Sequence, residues 1–313
     1  MDEITLLERL RSEVPQDMDV SGAESRWRSR AFDPAPPRRR WRPPLLLSVV
    51  AATSCAAVVG GIMVTQRETP AKPMANVVNV LDRAADRAAG EPAPRPGQFV
   101  YQETVERRRV DGTGRWYWTR TQSWSPVGGT TVGIVRQTNS IRPKEGEQLP
   151  PEGETIVDPC PAAAPLDRPY LGSVPADPEA LLDLMAAQGG DEKDRGARLW
   201  ATATGLIDTP APPKVRAALY RAIAQIPGVR FRADAVDEAG RYGVAITRTQ
   251  DGVRDELIFD RATHRYLGTR TVNTEPGRPP GAPDGTTFSS AELRTAITDH
   301  APAPSPEATP ANC

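Results

Sequence analysis

The sequence predicts an α+β fold: an exported, curved, half-barrel-like antiparallel sheet covered by about three helices, tied to a single transmembrane helix. Three observations carry this expectation. Leu45–Val64 is twenty residues long and contains no charge. Runs rich in β-branched and aromatic residues, separated by Gly-containing turns, occupy both ends of the segment 98–300. Helical patterns fall between those runs. Strands and helices segregated along the chain point to an antiparallel sheet with helices on one face.

The apolar run comes first in the argument because it places every other segment. A helix rises about 1.5 Å per residue, so twenty residues span roughly 30 Å, the thickness of a bilayer's hydrocarbon core. Arg38, Arg39, Arg40 and Arg42 precede it, whereas Arg67, Glu68 and Lys72 are sparse on the far side. Lys and Arg stay on the cytoplasmic face, so residues 1–44 are expected inside and 65–313 outside. A cleaved signal peptide has a shorter apolar core and a small-residue cleavage site, neither of which is present. Lipidation at Cys55 is disfavoured because the apolar run continues beyond it to Val64. The run holds no charge of its own, hence no sign of a pore or relay.

Residues 2–14, DEITLLERLRSEV, place Ile4, Leu7, Leu10 and Val14 along one stripe, with Asp2 and Glu3 complementing the helix dipole at its start. Pro15 stops this helix. A helix this short is marginal alone in water. It either folds against something (a partner protein, its own second segment around Ala23–Arg30, or the membrane surface) or stays a weakly ordered tail; for a partner, Ile4, Leu7 and Leu10 are the candidate face. No His or Cys occurs in residues 1–44, which excludes a zinc module there on ligand type.

Proline is abundant, 33 residues in all, and clusters at 34–44, 70–96 and 302–310. Such segments carry too little apolar content to fold alone. The resulting division is a cytoplasmic tail (1–44), a transmembrane helix (45–64), a Pro/Ala-rich tether (65–97), an extracytoplasmic domain (98–300) and a Pro-rich tail (301–313).

Within the domain, Gln98–Val110, Arg115–Ser125 and Thr131–Ile141 read as hairpin strands. In the second run Trp116, Trp118, Arg120, Gln122 and Trp124 share one face, because side chains alternate along a strand. Three tryptophans on one face pack on a core or line an apolar groove, so Trp116, Trp118 and Trp124 are candidate groove residues. Asp177-Pro178 opens a helix with a capping side chain and a proline in the first turn. Helical spacing continues through 195–207 and 213–226. Strands resume over 229–236, 242–249, 256–259 and 266–272, and Ser290–Thr298 reads as a further strand.

The net charge is −1, from 39 basic and 40 acidic residues. Outside the basic stretch 26–42 the charges are mixed, unlike the stripe of a nucleic-acid binder, so no direct nucleic-acid contact is expected. The two histidines, His264 in a turn and His300 at the tail, form no triad or metal set. Asp191-Glu192-Asp194 reads as a solvated loop. No catalytic residue, cofactor or metal is expected. Cys160 and Cys313 both lie in the exported part, where disulfides persist. Two readings stay open: a Cys160–Cys313 bond that pins the tail, or two free or intermolecular thiols.

The acidic amphipathic start, the Arg-rich lead into the anchor, FVYQETV, RPYLGSVPADPEALLDLM, IPGVRF and LIFDRATHRYLGTRTV together resemble an actinobacterial family of single-pass membrane proteins. Members are often encoded beside extracytoplasmic-function sigma factors. The exported half is also similar in layout to the half-barrel of periplasmic lipoprotein carriers and their sensor relatives. What the resemblance implies is a non-enzymatic regulator or sensor of the anti-sigma type, with a sigma factor or other regulator as cytoplasmic partner and a lipid or apolar ligand outside. The alternative is a membrane-anchored carrier or scaffold for apolar envelope molecules.

Overall fold

The runs of alternating apolar and polar residues form ten strands of one open sheet, in the order β10-β4-β3-β2-β1-β9-β8-β7-β6-β5. The strands are β1 (Phe99–Arg109), β2 (Trp116–Pro126), β3 (Gly133–Asn139), β4 (Gly153–Val157), β5 (Arg230–Val236), β6 (Tyr242–Gln250), β7 (Val253–Asp260), β8 (Tyr266–Asn273), β9 (Thr286–Thr298) and β10 (Thr309–Ala311). This is a computed structural model that describes residues 71–110, 113–128, 131–188, 195–275 and 284–311. All of them belong to one compact unit, 66–313. The membrane run 45–64 and the partner face Ile4, Leu7 and Leu10 lie outside the described residues. Among the described residues, no helix is long and apolar enough to cross a membrane.

Two antiparallel meanders, β1–β4 and β5–β9, join where β1 pairs with β9. Local turn chemistry sets the register. Asp251 and Gly252 both take positive φ, 48° and 70°, between β6 and β7. A two-residue turn of this kind matches the strand twist. Side chains at Gly252 would also run into Glu275. Register shifts at Glu103/Thr104, Arg232/Ala235, Ile258/Phe259 and Thr271/Val272 interrupt the ladders. Bulges of this kind bend strands and raise the local twist.

Four helices cover one face: α1 (Ala71–Ala89), α2 (Pro178–Ala186), α3 (Arg195–Leu206) and α4 (Pro213–Ile223). Asp177 caps α2 as its sequence suggests, accepting from the Glu179 and Ala180 backbone N–H groups at 3.1 and 2.9 Å. The helices and the sheet share the main core, with Leu81, Leu181, Met185, Ile223, Ile246, Leu257 and Phe259 fully enclosed. Successive residues of the strands separate cleanly. Val244, Ile246, Leu257 and Phe259 face the helices, while Ala245, Ile258 and Leu267 form a small apolar cluster on the other side.

Two expectations are corrected here. The segment 65–97 is not only a tether, because it contains α1. Val77, Val80, Leu81, Ala84, Ala85 and Ala88 recur at helical spacing and are buried. This stripe docks α1 against α4, with Arg221–Asp86 and Arg216–Glu91 contacts of 2.6 and 2.8 Å along the seam. The tail 301–313 is not wholly unstructured either. Its β10 pairs in parallel with β4, so the sheet is mixed rather than purely antiparallel. Glu154 on β4 holds the returning segment by accepting from the Ser305 N–H, while Arg136 engages its other oxygen at 2.6 Å.

Candidate functional site

The residues of this site come from five separate stretches of chain. The end of α1 supplies Ala84, Arg87, Ala88 and Glu91; the loop between α3 and α4 supplies Ile207, Thr209 and Ala211; α4 supplies Pro213, Arg216 and Tyr220. The sheet supplies Val100 and Gln102 of β1, Tyr266 at the start of β8, and Glu292, Thr295 and Ile297 of β9. Together they enclose a cavity of about 540 Å³ between the helices and the sheet. A concave, mainly apolar hollow with a few convergent polar groups is the usual form of a ligand site.

Packing explains why the cavity exists. Val100 opposes Ile297 and Gln102 opposes Thr295 across the β1–β9 ladder, so these four side chains point to the same face. Alanines at 84 and 88 on α1 are too small to fill the space above them. Tyr220, Phe259 and Tyr266 form a chain of edge-on rings, with centroids 5.5 and 5.8 Å apart, that closes one wall.

The polar groups are linked. Arg216 donates to Glu91 at 2.8 Å, and Arg87 lies 3.9 Å from the same carboxylate. The Tyr266 hydroxyl donates to Asp208 at 2.9 Å. Burial raises the Asp208 carboxyl to about 6, with the Tyr266 bond opposing and the charges of Glu292 and Glu106 adding to the rise. The Asp208 side chain also meets water at the surface. Burial also raises Glu292, against the pull of Arg216 and Arg265. Both Tyr220 and Tyr266 are held in the neutral form by burial.

The turn from β7 to β8 brings two more groups to the lining. Asp260 accepts from the Ala262 and Thr263 N–H groups at 3.0 and 2.7 Å, and His264 takes a left-handed φ of 57°. This sets His264 and Arg265 beside the cavity. His264 is therefore more than a solvated turn residue, although no catalytic partner accompanies it. Among the described residues, no group of His, Cys, Asp or Glu is arranged to hold a metal.

Trp116, Trp118 and Trp124 do not line this cavity. Trp124 opposes Tyr101 and stacks on it at 4.9 Å, and Tyr101 alternates with the cavity residues Val100 and Gln102. The three tryptophans thus lie on the sheet face away from the helices. There Arg107 and Arg109 stack over Trp116 at 4.9 and 5.5 Å, Arg136 over Trp124 at 5.4 Å, and Trp118 donates to Glu238 at 2.7 Å. Cys160 is disulfide-bonded. Cys313 lies outside the described residues, two positions past Ala311, which pairs with Val157.

The residues that build the site were not singled out in the sequence. Glu292 gave no sequence signal: strand alternation places it opposite to Thr295 and Ile297, and the irregularity in the β1–β9 ladder at Glu103/Thr104 brings it to the cavity side.

No protein-family model matches the chain, and no characterised protein matches it in sequence. Among solved structures, the chain is similar to MucB in complex with MucA(peri), at 13% identity and a TM-score of 0.25, over 72% of this chain and 56% of that one. It thus spans little more than half of that chain. It is also similar to an outer membrane lipoprotein-sorting protein domain from Vibrio parahaemolyticus, at 11% identity and a TM-score of 0.21, over 71% of this chain and 93% of that one. Scores this low carry no inference to the present chain.

Proposed function

We propose that residues 66–313 are the ligand-binding, extracytoplasmic part of a non-enzymatic, single-pass membrane regulator of the anti-sigma type. The observation that carries the binding role is the 540 Å³ cavity between helices and sheet, lined by small apolar residues and a few charged ones. The regulatory role rests on the sequence: an uncharged twenty-residue run separates this part from a short helix whose Ile4, Leu7 and Leu10 need a partner. In this reading, ligand in the cavity changes the hold of residues 1–44 on a cytoplasmic sigma factor. A carrier of apolar envelope molecules is the second reading, favoured by the same cavity if no cytoplasmic partner exists.

The test is affinity isolation of the full chain from its native membranes. Wild type is expected to retain a sigma factor, Leu7→Asp to lose it, and the cavity-filling Ile297→Trp to change the amount retained. Absence of a sigma factor from the wild-type isolate overturns the regulatory reading and leaves the carrier.

A further inference from the structure

The cavity's charges are unequally satisfied. Glu91 is engaged by Arg216 and Arg87. Glu292, the other carboxylate of the lining, is pushed by burial toward its neutral form. Arg265 is close enough to act on the Glu292 charge, yet among the described residues no hydrogen bond or ion pair engages its guanidinium. Arg265 thus brings an unengaged guanidinium to a lining in which Arg216 and Arg87 are taken up by Glu91, beside the apolar residues Ala84, Ala88, Val100, Ile207 and Ile297. A charge drawn against apolar surface is costly unless it is paired.

Volume limits the apolar part of any ligand. A methylene fills about as much space as a water in the liquid, roughly 30 Å³, so 540 Å³ holds on the order of 18 such groups. That is one acyl chain of ordinary length.

We propose that the cavity takes a single-chain amphiphile with an acidic head, a carboxylate or a phosphate monoester. The head pairs with Arg265 beside His264, and the chain runs between α1 and the β1–β9 ladder. An Arg guanidinium presents a planar fork that matches either head in two-point fashion. This assignment rests on reading the cavity as a ligand site.

Native mass spectrometry of the full chain, released from detergent, tests it with four probes at equal concentration: palmitate, hexadecyl phosphate, hexadecanol and hexadecyltrimethylammonium. At least one acidic probe is expected to bind one-to-one, about tenfold better than the alcohol or the cation. Which acid is retained distinguishes carboxylate from phosphate. Arg265→Gln is expected to lower the acid signal about tenfold and leave hexadecanol unchanged, and Arg265→Lys to restore part of it. Equal binding of acid and alcohol, equal binding of the cation, or an Arg265→Gln variant with an unaltered acid-to-alcohol ratio overturns the acidic-head assignment while the cavity remains a site. Failure of all four probes overturns the site itself.

Discussion

Glu256 is fully buried, and its oxygens are met by Arg254 at 2.7 Å and Arg270 at 2.8 Å, with Arg232 3.5 Å away. These groups tie β5, β7 and β8 together on the face away from the helices. Removing one member of a buried charge cluster leaves the others unpaired, so Glu256→Ala is expected to cost about 3 kcal/mol in denaturant unfolding. Two further carboxyls give opposite pH dependences. Glu147 accepts from the Lys144 N–H and Thr113 hydroxyl at 2.9 and 2.8 Å and pairs with Arg115, and these bonds lower it from 4.5 to about 2. Its contribution is complete above pH 4.5 and is lost as pH falls toward 2. Asp208, raised from 3.8 to about 6, holds its proton more tightly in the folded state. Its effect is a decline in stability as pH rises from 3.8 through 6. Unfolding midpoints measured across this range are expected to show a shallower acid limb in Glu147→Gln and a weaker decline between pH 4 and 6 in Asp208→Asn.

Helix α1 shows how composition can hide an element. Its alanines and flanking prolines suggest a tether, yet the stripe from Val77 to Ala88 is plain once helical spacing is sought. Leu81 is wholly enclosed, so Leu81→Ala is expected to cost about 3 kcal/mol, whereas Val78→Ala, at a site 41% exposed, is expected to cost little. Thermal or denaturant melts of the two variants check this. The strands between Phe99 and Asn139 and the capped start of α2 were legible, because each depends on local pattern. Strand β10 was not, since its parallel pairing with β4 is long-range and its three residues are Thr309, Pro310 and Ala311. The tryptophan face of β2 was also read correctly as one face. Period-two alternation cannot say which side of a sheet the helices will take, and the tryptophans fell on the other. For the disulfide-bonded Cys160, we propose Cys313 as the partner. A thiol titration of unreduced, denatured full chain is then expected to find Cys55 alone. A reading of three free thiols, or of Cys313 among the reactive ones, contradicts the pairing.

At the scale of the whole molecule, the cavity is the feature that sequence could not supply. Its lining gathers residues from 84 to 297 that no motif connects, and its apolar residues, alanines with Val100, Ile207 and Ile297, look like ordinary core. The cavity gives the proposed binding role a place in the fold. The account therefore turns on whether the cavity is filled in the cell. The direct measurement is extraction and quantitation of apolar molecules from the chain purified out of its native cells, set against Ile297→Trp prepared in parallel. The account predicts close to one single-chain amphiphile per wild-type chain and a loss of at least fivefold in the variant. Equal, trace amounts of mixed lipid in both preparations would contradict it.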